Sequence, residues 1–430
     1  MTPRAIELVE RFVSGFPERR SGLRTIGREA EYPLVHPDGR AADIRVLWDR
    51  LESGGGLVRT LEGELVTGLD RHGADAPDYS YASEVGRGTI EVITEPCGDL
   101  HVLKATHDAA MGRLLSAADE AGLVVLGYGV QPRTPPQLDL MTPKARYGVL
   151  LDVIGPDWLS FAVTASDQVQ IDVCRDELIP FTEVGNLLAP LTVALCGNSS
   201  IAGGADAGAC SVRDVSMGCI DADGGRHGMP IAPAGSPGGL VGRLLPLRFL
   251  MDKVDGVPLA RTGPFADYLE STETDADDRW RAFLVHEHYV WHSARPRAAH
   301  GTIEMRAACQ QPHDEHMASA ALGLGIIEAG HALRELLADL LGADGWSRMR
   351  TWHAAVVRDG LRAAPPHPDL VPGVLECCQT ALAARGRGEE GFLEPLWRRW
   401  RQRETPAQRI RDVFEAGGMA ALVDRARFRR

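Results

Sequence analysis

The sequence lacks a surplus of positive charge, paired cysteines and any long apolar run. Its 46 Lys and Arg face 59 Asp and Glu, a net charge of −13. A phosphodiester backbone calls for a basic surface, so this balance argues against a nucleic-acid-binding protein. A nucleotide substrate is still allowed, because a metal ion and a few local arginines would neutralise it. None of the 8 cysteines forms a CxxC pair, and their scatter is not that of a secreted disulfide framework. The adjacent Cys377 and Cys378 read as small core residues of a helix. No stretch approaches the roughly 20 apolar residues of a membrane span. Residues 239–251 come nearest, and Arg243 and Arg248 interrupt them. The first residues mix Arg4, Glu7, Glu10 and Arg11 into an amphipathic pattern with no apolar signal-peptide core. These absences predict a cytoplasmic protein with no membrane partner. The phosphate loop GxxxxGK[ST] and the nucleophile motif GxSxG are also missing. A literal GxGxxG at 386–391 follows a helix-like stretch rather than a strand, which removes its meaning.

What is present is ordinary globular composition, 44% hydrophobic and 24% charged over 430 residues, enough to bury a large core. Residues 25–35 alternate polar and apolar, as a strand lining something polar would. Residues 68–81 are polar and turn-rich and read as a surface loop. A strand is expected at 91–94, a helix at 100–122 and a buried strand at 123–129. Further on, the pattern predicts a helix at 141–154, a strand or hairpin at 159–173 and a helix at 183–195. Residues 202–238 are rich in Gly, Ala and Asp, a loop region able to fold over a ligand. A strand follows at 302–307. Beyond Pro312 the spacing is helical almost throughout. The expected organisation is a sheet-bearing catalytic body, 1–312, with a helical region, 313–430, packed on it.

Glu29 and Glu31 are two apart, so on a strand they share a face. Two such carboxylates repel unless a cation lies between them, and Mg²⁺ prefers hard oxygen ligands. Taken alone, the pair also fits a solvated strand. Glu84 and Glu91 are seven apart, and Gly86-Arg87-Gly88 between them is able to bend or bulge the chain so that both carboxylates return to one side. Glu304 and Arg306 are again two apart, a carboxylate for metal beside a guanidinium for a phosphoryl group. Gln168, Gln170 and Asp172 share one strand face and would orient a substrate or complete a metal shell. His286, His288 and His292, with His313 and His316 further on, offer a different reading, a zinc site.

The order of these elements is more specific than any one of them. Gly27-Arg-Glu29-Ala-Glu31 resembles the GxExE strand of the glutamate–cysteine ligases of plants and proteobacteria and of bacterial carboxylate–amine ligases. The stretch from Glu84 to Glu91 resembles their E-PGGQ-E segment with one extra residue. Gly127-Tyr-Gly-Val-Gln131-Pro132 and Met141-Thr-Pro-Lys144-Ala-Arg146-Tyr147 resemble GYQP and MPKGRY. Gln168-Val-Gln170-Ile-Asp172, Asn198-Ser-Ser200, Ser211-Val-Arg213 and Gly301-Thr-Ile-Glu304-Met-Arg306 resemble later motifs in the same order. Gln311-Pro312 matches a pair in the ergothioneine-pathway ligase. Cys309 departs from the pattern, standing where the family often has Asp.

The resemblance implies an α+β, glutamine-synthetase-like fold: a curved antiparallel sheet forming a funnel, helices outside it, and a helical C-terminal region. It implies an ATP- and Mg²⁺-dependent ligase that joins a carboxylate, in the family the γ-carboxylate of glutamate, to an amine such as cysteine through an acyl phosphate. Glu29, Glu31, Glu84, Glu91 and Glu304 would then bind metal. Arg306, with Glu304, would serve the transferring phosphoryl group. Gln168, Gln170, Arg213, Lys144 and Arg146 would place nucleotide or substrate. The partners expected are small molecules, and the protein itself a monomer or homodimer. Two other readings stand beside this one: a catalytically silent binding protein on the same scaffold, and a zinc-dependent hydrolase using His286, His288 and His292.

Overall fold

The computed structural model describes residues 1–71, 78–220, 224–271 and 274–429. Its centre is a nine-stranded sheet. The strands are β1 (Ile26–Val35), β2 (Val58–Glu62), β3 (Leu65–Asp70), β4 (Tyr79–Ser83), β5 (Thr89–Cys97), β6 (Val124–Val125), β7 (Asp167–Asp172), β8 (Ala294–Arg297) and β9 (Thr302–Met305). They lie in the order β8-β9-β7-β1-β5-β4-β3-β2, with β6 also paired to β1. Every ladder in it is antiparallel. The α+β class and antiparallel sheet are those the resemblance implies.

Strand β1 is the middle of this sheet, and its alternation decides what each face is made of. Glu29 and Glu31 project to one side. Arg28, Ala30 and Tyr32 project to the other, where all three are buried. On that second side the Arg28 guanidinium grips Asp167 twice, Nε to Oδ1 at 2.7 Å and Nη2 to Oδ2 at 2.9 Å. Neither side chain has any exposed surface. Arg28 also donates to the His316 carbonyl at 2.7 Å, and Ser319 Oγ donates to Asp167. Every charge there has a partner, which a buried ion pair needs to offset its desolvation.

The same face carries the helices. Ala318–Glu328 lies on β7 so closely that a Cβ at Gly323 would meet Val169 Cγ2 at 2.6 Å. Val169, Ile171, Ile303 and Met305 of the sheet share one apolar core with Leu322, Leu324 and Ile326 of that helix. Leu100–Glu120 covers β5 through a second core that includes Ala110 and Leu114. The helices expected beyond Pro312 are present, from Ala318–Glu328 to Pro406–Ala426.

Some local expectations change. The strand expected at 123–129 shrinks to Val124–Val125, because Gly127 N–H bonds to Ala426 O and Gly129 N–H to Asn198 O instead of to a ladder. The first third of 159–173 is the end of a 3-10 helix, Pro156–Val163. The helix at 183–195 is two, Arg175–Leu187 and Ala189–Cys196, broken at Leu188. Both ends of the loop expected at 68–81 belong to strands, and its residues 72–77 lie outside the described residues. The region 202–238 holds the helix Val212–Cys219 and the start of Pro237–Leu244, while 221–223 lie outside the described residues. Among the described residues no single helix is long and apolar enough to cross a membrane.

Candidate active site

The face of the sheet opposite the helices borders a cavity of about 280 Å³. Glu29 and Glu31 of β1 reach it, as the period of two predicts. Glu91 stands directly across from Glu31 on β5. Glu84 follows the last residue of β4, so it and Glu91 lie on the two arms of a hairpin, not on one bulged strand. The hairpin turns where only glycine fits: a Cβ at Gly86 would fall 1.9 Å from Ala162 O. Side chains from elsewhere buttress the turn. Gln131 Nε2 donates to Gly88 O at 2.6 Å, Thr142 Oγ1 to Glu84 O at 2.7 Å and Lys144 Nζ to Ser83 O at 2.6 Å.

The carboxylates are held by neutral donors. Glu31 accepts from Ser166 N–H at 2.6 Å and from Gln168 Nε2 at 2.9 Å. Glu29 accepts from Gln170 Nε2 at 2.6 Å. Those bonds do not cancel the charge. Burial and then Glu84 push the Glu31 carboxyl above its ordinary range. Burial raises Glu91 further, reinforced by Glu84, Glu29 and Glu31. Burial and Glu304 raise Glu29, against the pull of Arg306. Like charges crowded out of water are a site waiting for a cation. The donor set is hard oxygen, which fits Mg²⁺. Among the described residues no three His, Cys, Asp or Glu form a ready-made metal cage. Mg²⁺ does not require one, since it commonly keeps several waters and shares substrate phosphates with one or two carboxylates.

At the other end of the cavity stand Arg295, Arg297 and Arg306. All three converge on Glu304, which is fully buried. Arg295 lies opposite it in register and bonds both its oxygens at 3.1 Å. Arg297 adds a contact at 3.0 Å, and Arg306 a third. Against the penalty of burial, these guanidiniums hold the Glu304 carboxyl well below the carboxylate range. Glu287 stands 3.7 Å from Arg297, so three positive charges still exceed two negative ones. Arg213 and Arg146 complete the cationic lining. Arg213 is buried, its Nε has no hydrogen-bond partner, and burial lowers its pKa despite the nearby Cys309 and Glu31. Gln168 Oε1 is likewise buried and unpartnered. Both atoms are suited to a ligand.

The structure thus brings together around one cavity Glu29, Glu31, Glu84, Glu91, Gln168, Gln170, Arg146, Arg213 and Arg306. Two expected residues are placed otherwise. Glu304 shares the sheet face of Gln170 but is covered, with both oxygens taken by arginine. Lys144 is a hairpin buttress. The histidine reading is corrected. His286 and His288 are two apart on the helix Ala276–His288, which points them to different sides. His286 Nε2 is bonded to Leu244 O at 2.9 Å and His292 Nε2 to Gly225 O at 2.8 Å, leaving no common centre for zinc. Residues missed in the sequence are Ser166, Arg295 and Arg297, and an aromatic flank of Tyr147, Trp158, Phe161, Tyr289 and Trp291. Arg295-Pro-Arg297, with its period of two ahead of the Glu304 strand, was the available signal.

Comparison with known proteins agrees with this architecture. The sequence matches the glutamate-cysteine ligase family 2 (GCS2) over residues 25–425. It is 25% identical over 378 residues to the chloroplastic glutamate–cysteine ligase of Medicago truncatula, covering 83% of this chain and 71% of that one. It is 26% identical over 226 residues to a putative glutamate–cysteine ligase 2 of Thermobifida fusca, spanning 52% of this chain and about half, 47%, of that protein's length. The fold resembles that of the Francisella tularensis glutamate–cysteine ligase solved in complex with AMP, with a TM-score of 0.54 at 13% identity over 95% of this chain and 88% of that one. The motifs and the fold they build therefore have one origin: the chain belongs to the glutamate-cysteine ligase family 2.

Proposed function

We propose that the protein is an ATP- and Mg²⁺-dependent ligase that joins the γ-carboxylate of glutamate to an amine, cysteine or another. The observation that carries this reading is the cavity itself. Four crowded carboxylates stand at one end, three on two neighbouring strands and Glu84 just past a third, and a surplus of guanidinium stands at the other. A metal–triphosphate complex matches both ends.

In the first step an oxygen of the substrate carboxylate attacks the γ-phosphorus of ATP, and ADP leaves with the electron pair of the broken P–O bond. In the second the amine nitrogen attacks the acyl carbon. A C–N bond forms, phosphate departs and the nitrogen loses a proton to solvent. Glu29, Glu31, Glu84 and Glu91 would hold the metal. A bound Mg²⁺ supplies neutralisation of phosphate charge that otherwise opposes the attack. Arg306, with Arg297, would stabilise charge on the transferring phosphoryl group. Glu304 has a holding role here, fixing three guanidiniums at once. Gln168, Gln170 and Arg213 offer substrate contacts.

The test incubates the purified protein with ATP, Mg²⁺ and glutamate against a panel of amines that includes cysteine. ADP and phosphate should appear together with an amide product, and only when a competent amine is present. Amide or ester hydrolysis that proceeds without ATP would defeat the reading.

A further inference from the structure

Arg213 brings a buried positive charge to the cavity, and its Nε has no hydrogen-bond partner. The helix that carries it, Val212–Cys219, starts at Ser211, whose hydroxyl accepts the Asp214 N–H at 3.3 Å. Arg213 N–H itself donates to Ser199 Oγ at 3.1 Å. Ser199 Oγ and Ser211 Oγ lie 3.4 and 3.5 Å from Cys309 Sγ. None of these partners is a carboxylate. They fix the backbone and leave the guanidinium its charge.

A second fastening comes from outside the site, from the helix Gly345–Asp359 of the C-terminal region. The carbonyls of a helix's last turn have no partner within it. Val357 O, in that turn, accepts from Cys210 N–H at 2.8 Å and from Ser211 N–H at 3.0 Å. His353 lies four residues earlier and so on the same face. Its Nε2 stands 3.3 Å from Asp214 Oδ2, with the two side chains only 16% and 14% exposed. The ring also borders Gly228, where a Cβ would meet His353 Cε1 at 3.8 Å. Gly228 pairs with His292, next to the cavity residue Trp291. His353 thus touches two segments that build the site without entering it.

The pair has an electrostatic consequence. Asp214 follows Arg213 directly in the chain. An uncompensated carboxylate there would draw on the positive charge that a ligand needs. An imidazolium at His353 satisfies Asp214 instead. Against the penalty of burial, Asp214 holds the ring above its ordinary value, while Arg350 on the same helix opposes its protonation. His227 and Arg213 are the other charged or titratable groups that act on Asp214.

We propose that His353 is a positioning residue of the site: its imidazolium takes up the charge of Asp214, so that Arg213 keeps its own for an anionic group of a substrate, a carboxylate or a phosphate. The identity of those substrates rests on the ligase reading above.

The experiment measures steady-state kinetics with ATP, Mg²⁺, glutamate and the best amine of the panel. His353→Gln should raise the KM for one anionic substrate, glutamate or ATP, about fivefold at neutral pH, with kcat within about twofold. The substrate whose KM moves is the one that Arg213 holds. Added to Arg213→Ala, the change should move that KM no further, because it acts through Arg213. Adding Asp214→Asn to His353→Gln should recover most of the loss, since the competing carboxylate is then gone. In the parent the same KM should rise with pH as His353 loses its proton, and in His353→Gln it should be high throughout. A fall in kcat with both KM values unchanged would make the pair merely structural and overturn the proposal. So would a KM effect of full size in the absence of Arg213. Asp214→Asn alone should remove the pH dependence of that KM, and a dependence that survives in it would defeat the proposal even if His353→Gln did not fold. Should no amine support turnover, the ligase reading fails, and calorimetry with ATP and with glutamate then decides His353 separately. Binding of either that His353→Gln weakens about fivefold and added Asp214→Asn restores keeps its role. Equal binding in all variants, or no binding to the parent, removes it.

Discussion

Strand β1 presents two faces built from adjacent residues and opposite physics. Arg28 points into the packed side and meets Asp167, Ser319 and the His316 carbonyl, so no charge there is left over. Glu29 and Glu31, one and three residues further on, point into the cavity and meet side-chain amides, the Ser166 backbone N–H and more carboxylates. The first face is satisfied by the protein alone. The second is satisfied only with something added. That contrast separates a charge kept for stability from a charge kept for chemistry better than burial does, since Glu31 and Arg28 are both buried.

The contrast is broken most sharply by removing one cavity carboxylate. Glu91→Gln should cut turnover on the order of a thousandfold, about 4 kcal/mol in the barrier, while the metal-free protein melts at the same temperature or higher. A large fall in melting temperature would put Glu91 with Arg28, as a structural charge. The converse change, Arg28→Met, should cost about 3–5 kcal/mol of stability, because Asp167 is left buried and unpaired. Chemical denaturation measures this, and pairing the change with Asp167→Leu should recover much of the loss.

A smaller effect sharpens the comparison through pH. The raised carboxyls of Glu29, Glu31 and Glu91 bind protons more tightly in the folded state than in the unfolded one. Their contribution to stability is therefore present at low pH and lost as pH rises through those raised values. Glu177 and Glu315 act oppositely. Burial works against them, but Arg24 holds the first at about 2 and Arg399 and Arg409 hold the second at about 2. Their contribution is lost as pH falls from the ordinary carboxylate range toward 2. Metal-free protein should thus gain stability on mild acidification from neutral pH and lose it on going lower. Mg²⁺ at a hundredfold excess over its Kd should add about 2.7 kcal/mol near neutral pH and flatten the first part of that curve. Melts across pH with and without Mg²⁺ would show it. A pH curve that Mg²⁺ leaves unaltered would mean that the cation binds elsewhere.

The reach of sequence reasoning follows the range of the contacts. Glu29 with Glu31, and the Glu304-Met-Arg306 strand, were legible because a period of two is local. The C-terminal helices were legible for the same reason. For Glu84 and Glu91 a bend or bulge at Gly86-Arg87-Gly88 is expected to bring both to one side; the structure brings both to the cavity, by a full hairpin turn. A hairpin is defined by its partner strands, and the atom that forces the turn at Gly86 belongs to Ala162. The role of Glu304 was hidden because its partner Arg295 faces it across a ladder. The aromatic flank was invisible, since Tyr147, Phe161 and Trp291 meet only after three segments fold together. Family membership was legible from motif order, which survives where individual contacts cannot be seen.

The contact at Gly86 reaches beyond this one chain. The spacing of Glu84 from Glu91 is gauged against a backbone oxygen in Pro156–Val163, so neither segment sets it alone. A residue inserted in the hairpin would have to be answered by a change in the 3-10 turn, and lengths of the two segments should covary among relatives. For anyone recombining such enzymes, these stretches form one indivisible cassette despite the 64 residues between Glu91 and Pro156, and a crossover placed there should uncouple the carboxylates without disturbing a single charged side chain.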